Sequence, residues 1–171
     1  MAGRRWFDRK FPPGQPAGAF PEIRERVRGT PARLEERVHG WSSEILACRP
    51  QDAWSIQEHV GHLGDLEPLW ATRLGELLAG ADVLSPADLE NRKTHEARHN
   101  DASLEALTSA FRRARAGFVA TLDELEPDAL GRAARHPRLD QPMTIVDLCF
   151  FVAEHDDHHL ARMSAIARTT G

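Results

Sequence analysis

Residues 148–159 have the sequence LCFFVAEHDDHH, in which His155 and His159 are four positions apart. Residues at positions i and i+4 share one face of an α-helix, with Cβ atoms about 6 Å apart. Two imidazoles in that arrangement can bind one metal ion. The same face carries Val152 and Met163, at helical steps of three or four. This periodicity predicts a helix whose two histidines face the core.

Not every histidine of this segment shares that face. His158 follows a neighbouring line with Phe151 and Glu154, so it fits the metal-binding face less well. A second interpretation of His155 and His159 stays open at this point, because two hydrogen-bonded core histidines would show the same spacing. A third histidine on a facing helix would favour a metal site.

Two candidates for a third ligand, His59 and His62, lie on another predicted helix. Ser55 and Glu58 form the capping box that begins this helix, which runs to about Ala79. At about 100° per residue, His59 lies inside the apolar arc of the helix and His62 lies at its edge. Helical periodicity therefore favours His59. Glu58 lies four residues before His62 on the same face and is a conceivable base, but capping is its better supported role.

Four long helices separated by loops are predicted by helical periodicity. Their bounds are about 20–38, 55–79, 101–125 and 144–168. Thr30 and Pro31 interrupt the first of these, so it is either one kinked helix or two short ones. Residues 132–142 contain two prolines and are predicted to form an extended loop. Strand signals are nearly absent, so we expect an all-α fold, a four-helix bundle.

The whole chain of 171 residues fits a single domain. Residues 1–19 are rich in proline and glycine and are predicted to form an irregular arm, which packs on the surface or stays mobile. Residues 20–171 are predicted to form the helical domain. The two cysteines, Cys48 and Cys149, form no disulfide framework, and Cys149 lies in an apolar run that predicts a buried thiol. We expect no nucleophilic cysteine at the site.

Charge and hydropathy exclude several classes of partner. The net charge is −4 with acidic and basic residues interleaved, which argues against nucleic acid as the main partner. No apolar run approaches the roughly 20 residues that span a bilayer, so no membrane association is expected. The first ten residues lack the apolar segment of a signal peptide. These observations predict a cytoplasmic protein.

The remaining histidines give weaker signals. His95 and His99 are also four apart, but their neighbours are almost wholly polar, which predicts a solvated helix or loop. His39 and His136 stand alone beside loop signals, and a surface position is expected for each.

Several carboxylates near the histidine pairs are candidates to hold a ligand's free ring N–H. They are Asp65, Glu154, Asp156 and Asp157. Acids on a helix surface are more often solvated, and that is the expectation for Asp156 and Asp157.

Two segments together resemble the DinB-like superfamily. Residues 54–63, WSIQEHVGHL, match its Trp-Ser helix start with a histidine eight residues after the tryptophan, and residues 154–160, EHDDHHL, match its C-terminal His-x-x-x-His. The likeness extends over about residues 20–166. It implies that the metal ligands are His62, His155 and His159, and that His59 is a neighbour lining the pocket.

The resemblance also carries expectations about fold and chemistry. It implies a bundle with up-down-down-up connectivity, a divalent metal ion (zinc or nickel) and a homodimer. Some members of the family are transferases or isomerases that use low-molecular-weight thiols such as mycothiol or bacillithiol, and others resemble metal-dependent hydrolases. Three neutral imidazoles with an open coordination position are typical of a catalytic site. The catalytic residues and the substrate stay unassigned.

We therefore expect a metal-dependent enzyme that transfers a low-molecular-weight thiol to a small electrophile. One alternative is a metal-dependent hydrolase, in which the ion generates hydroxide from bound water. The other is a non-catalytic bundle that the metal stabilises, with a binding or stress-associated role.

Overall fold

The computed structural model describes residues 5–170, which form six α-helices and one short β-hairpin. The helices are α1 (Phe20–Val38), α2 (Ser43–Ala47), α3 (Ile56–Ala79), α4 (Arg92–Glu96), α5 (Leu104–Asp123) and α6 (Ile145–Thr170). The strands are β1 (Ala133–His136) and β2 (Gln141–Thr144), which pair antiparallel. The four long helices α1, α3, α5 and α6 correspond to the four that periodicity predicts.

Local hydrogen bonds explain where α3 and α5 begin and end. The Ser55 hydroxyl accepts from the Glu58 N–H at 3.1 Å, and the Glu58 carboxylate accepts from the Ser55 N–H at 2.8 Å, which is the predicted capping box. Gly80 then ends α3 with φ of 75°, a left-handed conformation that glycine adopts without strain. Ser103 caps α5, since its hydroxyl accepts from the Ala106 N–H at 3.1 Å.

Helix α1 is continuous, although Pro31 lies inside it. Proline has no N–H, so the carbonyl of Val27, four residues earlier, lacks its usual helical donor. The Arg115 guanidinium of α5 donates to this carbonyl at 3.0 Å. Since a neighbouring helix supplies the missing donor, the interruption predicted at this position produces neither a second helix nor an unsatisfied carbonyl.

Contacts between helices fix the direction of each. Arg26 donates to Glu154 at 2.8 Å and Arg37 pairs with Ser164, so α1 and α6 run in the same direction. Helix α5 runs opposite to α1, because Arg28 donates to Asp123 at the end of α5, whereas Glu35, later on α1, accepts from Arg112, which is earlier on α5.

Helix α3 is parallel to α5 and antiparallel to α6. Gly64 faces Phe111, and Glu67 pairs with Arg115 one turn further along both helices. The order along the chain is therefore up, down, down, up, and the connectivity that the family resemblance implies is confirmed. Within the described part of the chain, no helix combines the length and apolarity that crossing a bilayer requires.

A buried ion network lies at the centre of the bundle. Arg115 donates to Asp156 at 2.6 Å and to Glu67 at 2.6 Å, and all three side chains are at most 2% exposed. The prediction that Asp156 is solvated is wrong, because a guanidinium on a facing helix pairs with it. Asp157 is half-buried and pairs with Arg26 and Arg33, so it is not freely solvated either.

Residues 132–142 were expected to form an extended loop, but most of them belong to the β-hairpin. Arg135 of β1 pairs with Pro142 of β2 on one side and exchanges backbone hydrogen bonds with Asp82 and Leu84 on the other. Strand β2 is therefore an edge strand, where proline is tolerated. The loop between α3 and α4 stabilises this hairpin, and a local sequence pattern cannot reveal that partner.

The arm packs against the bundle over residues 5–19, with short 3₁₀ turns at Trp6–Asp8 and Ala17–Ala19. Phe11 is buried in the core beside Phe151, at a ring-centroid distance of 4.6 Å. The Asp147 carboxylate accepts from the backbone N–H of Gln15 at 2.8 Å. Of the two predicted alternatives, packing is therefore correct for these residues. Residues 1–4 of the predicted arm, like Gly171, lie outside the described residues.

Candidate metal centre

Three imidazoles converge between α3 and α6. His62, His155 and His159 each offer one ring nitrogen, and these atoms all lie within 4.8 Å of one another. All three side chains are buried. Because α3 and α6 are antiparallel neighbours, successive turns of α6 bring two histidines to the one that α3 supplies. The arrangement joins the two segments that carry the family resemblance.

The geometry of this cluster suits a divalent ion with nitrogen ligands. The Nε2 atoms of His155 and His159 are 3.1 Å apart. A tetrahedral ion with bonds of about 2.0–2.1 Å holds its ligand atoms about 3.3–3.4 Å apart. The α6 pair is close to this spacing, and the ring nitrogen that His62 offers lies within 4.8 Å of both.

Burial also gives the cluster the protonation state that a metal ion requires. It lowers the pKa of His62 to about 4 and holds the pKa values of His155 and His159 well below their usual range. Neighbouring imidazoles add to the shift in both α6 residues. A histidine binds metal as the neutral ring, so all three side chains have a lone pair available near neutral pH.

A hydrogen-bonded chain orients His62. Its Nδ1 lies 3.0 Å from the Thr94 hydroxyl oxygen, and that hydroxyl donates to the Asp65 carboxylate at 2.8 Å. Since the hydroxyl proton is directed at Asp65, the Thr94 oxygen accepts from His62 Nδ1–H, which leaves Nε2 with its lone pair. Asp65, which the sequence suggested as a partner of a ligand's ring N–H, therefore acts through Thr94.

His59 lies beside the cluster and not within it. Its Nδ1 is 2.8 Å from Nδ1 of His159, on the side of that ring away from His155. Helical periodicity favoured His59 for the third position, but the structure brings His62 to the other two rings. An estimate of helix facing tolerates an error of tens of degrees, and these two residues differ by less than one turn.

Two further histidines lie elsewhere than expected. His99 is buried, although its polar neighbours predict a solvated position, and its Nε2 lies 2.8 Å from the Asp65 carboxylate. Gly61 allows this close approach, because a Cβ at that position would overlap the His99 ring. His136 was expected at the surface but is 2% exposed. His39 is exposed, as predicted.

The cluster opens into a cavity of about 1340 Å³. Pockets for drug-sized ligands measure about 300–1,000 Å³, so this cavity has room for a substrate and a second small molecule. Much of the wall is aromatic, contributed by Trp6, Phe7, Trp54, Trp70 and Phe151. Three guanidinium groups also line it, those of Arg73, Arg138 and Arg162. Trp6 and Thr170, near the two ends of the described residues, also line it.

Cys48 also lines this cavity, and it is half-buried. No sequence pattern predicts a cysteine near the site, because Cys48 precedes α3 in a loop whose path over the cavity depends on tertiary packing. Cys149, in contrast, is buried as predicted, and burial raises the pKa of its thiol to about 12. A thiol in that environment is inert.

The fold agrees with the comparisons with known proteins. A model of the DinB superfamily matches residues 26–163, and the chain belongs to this family. Among solved structures, the chain is similar to YfiT from Bacillus subtilis, with a TM-score of 0.82 and 19% sequence identity over 95% of this chain and 94% of that one. YfiT is described as a probable metal-dependent hydrolase with an unusual four-helix bundle topology. No curated protein matches the chain.

Proposed function

We propose that this protein is a metal-dependent enzyme in which His62, His155 and His159 hold a divalent ion, zinc or nickel. The observation that carries the proposal is the convergence of three buried, neutral imidazoles at the wall of a large cavity. A structural metal site is usually closed by four protein ligands, whereas three ligands beside an open cavity leave a position for a reactant.

We further propose that the reaction is the transfer of a low-molecular-weight thiol to a small electrophile. A bound divalent ion would supply one chemical effect, the deprotonation of a coordinated thiol or water. The protein's own residues would supply the rest. The aromatic wall binds the apolar part of the electrophile and excludes water, and the size of the cavity admits both reactants together.

The carboxylates near the cavity are held by other groups. Within the described residues, Asp88 is the carboxylate that lines the cavity, and it accepts hydrogen bonds from the backbone N–H groups of Glu90 and Arg92. Glu58 is held by Ser55 and by Arg49. Both carboxylates are engaged, so the bound ion, and not a carboxylate, would take the proton from a coordinated thiol or water.

Hydrolysis is the second candidate, and two observations favour it. YfiT, which shares the fold, is described as a probable metal-dependent hydrolase. In addition, the half-buried His158 lines the cavity without belonging to the three-nitrogen cluster, so its imidazole is available to accept a proton from water.

The metal site is tested by measuring the metal content of the purified protein. We expect about one zinc or nickel ion per chain, and a loss of most of it in His62→Ala and in His155→Ala. The exposed His95 provides the matched control, and His95→Ala should keep its metal. If the wild-type protein carries no stoichiometric metal after growth with zinc and nickel, the proposal is wrong.

The reaction is tested with the metal-loaded protein and a panel of thiols. Mycothiol, bacillithiol and glutathione are supplied with 1-chloro-2,4-dinitrobenzene, and hydrolysis is followed separately with 4-nitrophenyl acetate. We expect a thiol-dependent rate that His155→Ala abolishes. Ester cleavage without any thiol-dependent rate would assign the hydrolase instead, and a metal-loaded protein inactive in both assays would indicate a non-catalytic bundle.

A further inference from the structure

Arg73 is a buried cation with an unused donor. Its side chain comes from α3 to the wall of the cavity and is 1% exposed. Nε donates to the Ser85 carbonyl at 2.9 Å, and Nη1 lies 3.1 Å from Nε2 of His136. Nη2 is buried without a hydrogen-bond partner. Among the described residues, no carboxylate forms an ion pair with Arg73.

His136 cannot satisfy all the donors that surround it. Its Nδ1 lies 3.2 Å from the backbone nitrogens of both Arg138 and Leu139, while its Nε2 faces Arg73. A neutral imidazole accepts at one nitrogen only. Whichever nitrogen carries the hydrogen, that N–H therefore points at another donor. This corner of the cavity has more donors than acceptors.

Arg138 adds a second cation at the same place. Its guanidinium carbon lies 5.5 Å from the ring centroid of Phe7 and 5.9 Å from that of Phe151, and its Nη2 is also buried without a partner. Burial lowers the pKa of Arg73 to about 10 and lowers that of Arg138 as well. Both guanidinium groups nevertheless stay charged at neutral pH.

The carboxylate whose charge acts on Arg73, that of Glu76, is already engaged. Glu76, one turn later on α3, accepts hydrogen bonds from the backbone N–H and the hydroxyl of Ser85. The equally buried Arg115 shows the usual arrangement in this fold, because it pairs with two carboxylates. A buried cation without a partner is costly, so a counter-ion from outside the chain is the natural complement at Arg73.

We propose that Arg73, His136 and Arg138 form a subsite that binds the carboxylate or phosphate group of the substrate. A guanidinium fork matches either group through paired N–H donors. The proposal deepens the proposed function and rests on it for the role of the anion in catalysis, although binding of the anion itself requires no metal.

The position of the subsite relative to the histidine cluster sets the shape of the ligand. The Arg73 guanidinium carbon lies 5.7 Å from the Trp70 ring centroid, and the ring centroids of Trp70 and His155 are 5.6 Å apart. One indole therefore separates the two sites. A small aromatic or unsaturated acid is long enough to place its anionic group at Arg73 and its reactive carbon beside the cluster.

The test measures ligand binding to metal-free protein by calorimetry, so that coordination of the anion to a metal ion cannot contribute. The probes are benzoate and phenyl phosphate, with benzamide as the neutral analogue of benzoate. We expect benzoate to bind about tenfold or more tightly than benzamide, since a hydrogen bond to a charged group is typically worth at least that factor. The tighter of the two anions identifies the group that the subsite prefers.

The variants Arg73→Gln and Arg138→Gln should each weaken benzoate binding about tenfold or more. Arg112→Gln is the matched control, because Arg112 is exposed and pairs with Glu35 far from the hairpin. Arg138 lies in the hairpin turn with ring faces around it, so its variant tests the subsite even when Arg73→Gln does not fold, which near-UV circular dichroism reports.

Equal binding of benzoate and benzamide by the wild type would overturn the subsite. A folded Arg138→Gln variant with wild-type affinity for benzoate would also overturn it. So would a loss of benzoate binding in Arg162→Gln while Arg73→Gln and Arg138→Gln still bind, because Arg162 lines the same cavity but is not part of the subsite. The two proposals fail separately: anion binding without stoichiometric metal removes the proposed function only, and thiol transfer without a preference for anionic ligands removes the subsite only.

Discussion

Nδ1 of His62 donates its hydrogen to the hydroxyl oxygen of Thr94 across 3.0 Å, because that hydroxyl gives its own hydrogen to Asp65. The short helix α4 thus fixes the tautomer of a histidine on α3. Hydrogen-bond partners of metal-binding histidines typically change metal affinity by about 10–100-fold when removed. The contact therefore connects helix α4 with the affinity of the proposed site for its metal ion.

We predict that Thr94→Val weakens zinc binding about 10–100-fold while leaving the fold intact, since valine keeps the shape and removes the acceptor. Competition with a chromogenic chelator measures the affinity. Thr108→Val is the control, because the Thr108 hydroxyl donates to carbonyls of its own helix, α5. Equal zinc affinities in the two variants would show that Thr94 does not position His62.

Gly61→Ala should destabilise the protein, because the new methyl group would overlap the His99 ring. Overpacking of this kind typically costs about 1–3 kcal/mol. Gly64→Ala, three residues later on α3, should instead stabilise by about 0.5–1 kcal/mol, because its nearest neighbours are 3.9 Å away and alanine favours the helix. Urea unfolding measures both variants, and a stable Gly61→Ala would mean that His99 moves aside at no cost.

Arg115→Met should lower the free energy of unfolding by about 3–5 kcal/mol, because it leaves Glu67 and Asp156 buried without their cation. Arg112→Met, on the same helix, removes an exposed pair with Glu35 and should cost less than about 1 kcal/mol. Chemical denaturation gives both values. A loss in Arg115→Met no larger than in Arg112→Met would contradict the central role of this network.

The stability of the metal-free protein should fall with acid, partly through His136. Burial lowers the pKa of His136 to about 4 in the folded protein, whereas the unfolded chain has a value of about 6.5. The unfolded state therefore binds the extra proton first, and stability is lost as the pH falls from about 6.5 to about 4.

The variant His136→Gln lacks this contribution. Its free energy of unfolding should therefore fall less steeply with acid than that of the wild type, and the two slopes should differ by up to about 1.4 kcal/mol per pH unit within that window. Urea unfolding of chelator-treated protein at several pH values measures the two slopes. Parallel curves for variant and wild type would show that His136 is protonated equally in both states.

The helices and their ends could be predicted from the sequence because their causes are local. The capping box of Ser55 and Glu58, the start of α6 after Thr144 and the apolar stripe of α6 are all readable from spacing. The all-α bundle followed from the four periodic segments and its connectivity from the family resemblance, and contacts such as that of Arg26 with Glu154 agree with both.

The residues that were expected at the surface but are buried have a different explanation. Each is buried by a partner that is distant in sequence. Asp156 is buried by Arg115, 41 residues away, and His99 is buried against Asp65, 34 residues away. His136 lies beneath Arg73 for the same reason. Polar residues are predicted at the surface because unpaired burial is costly, and a single sequence does not show which partners remove that cost.

Residues near both ends of the described range line the cavity, which has a practical consequence for measurements of metal content and ligand binding. Trp6 and Phe7 at one end and Thr169 and Thr170 at the other border the same opening. A polyhistidine tag joined next to these residues would add imidazoles that compete with the three-histidine cluster for the proposed ion. Affinity tags should therefore be removed by protease before metal content or ligand binding is measured.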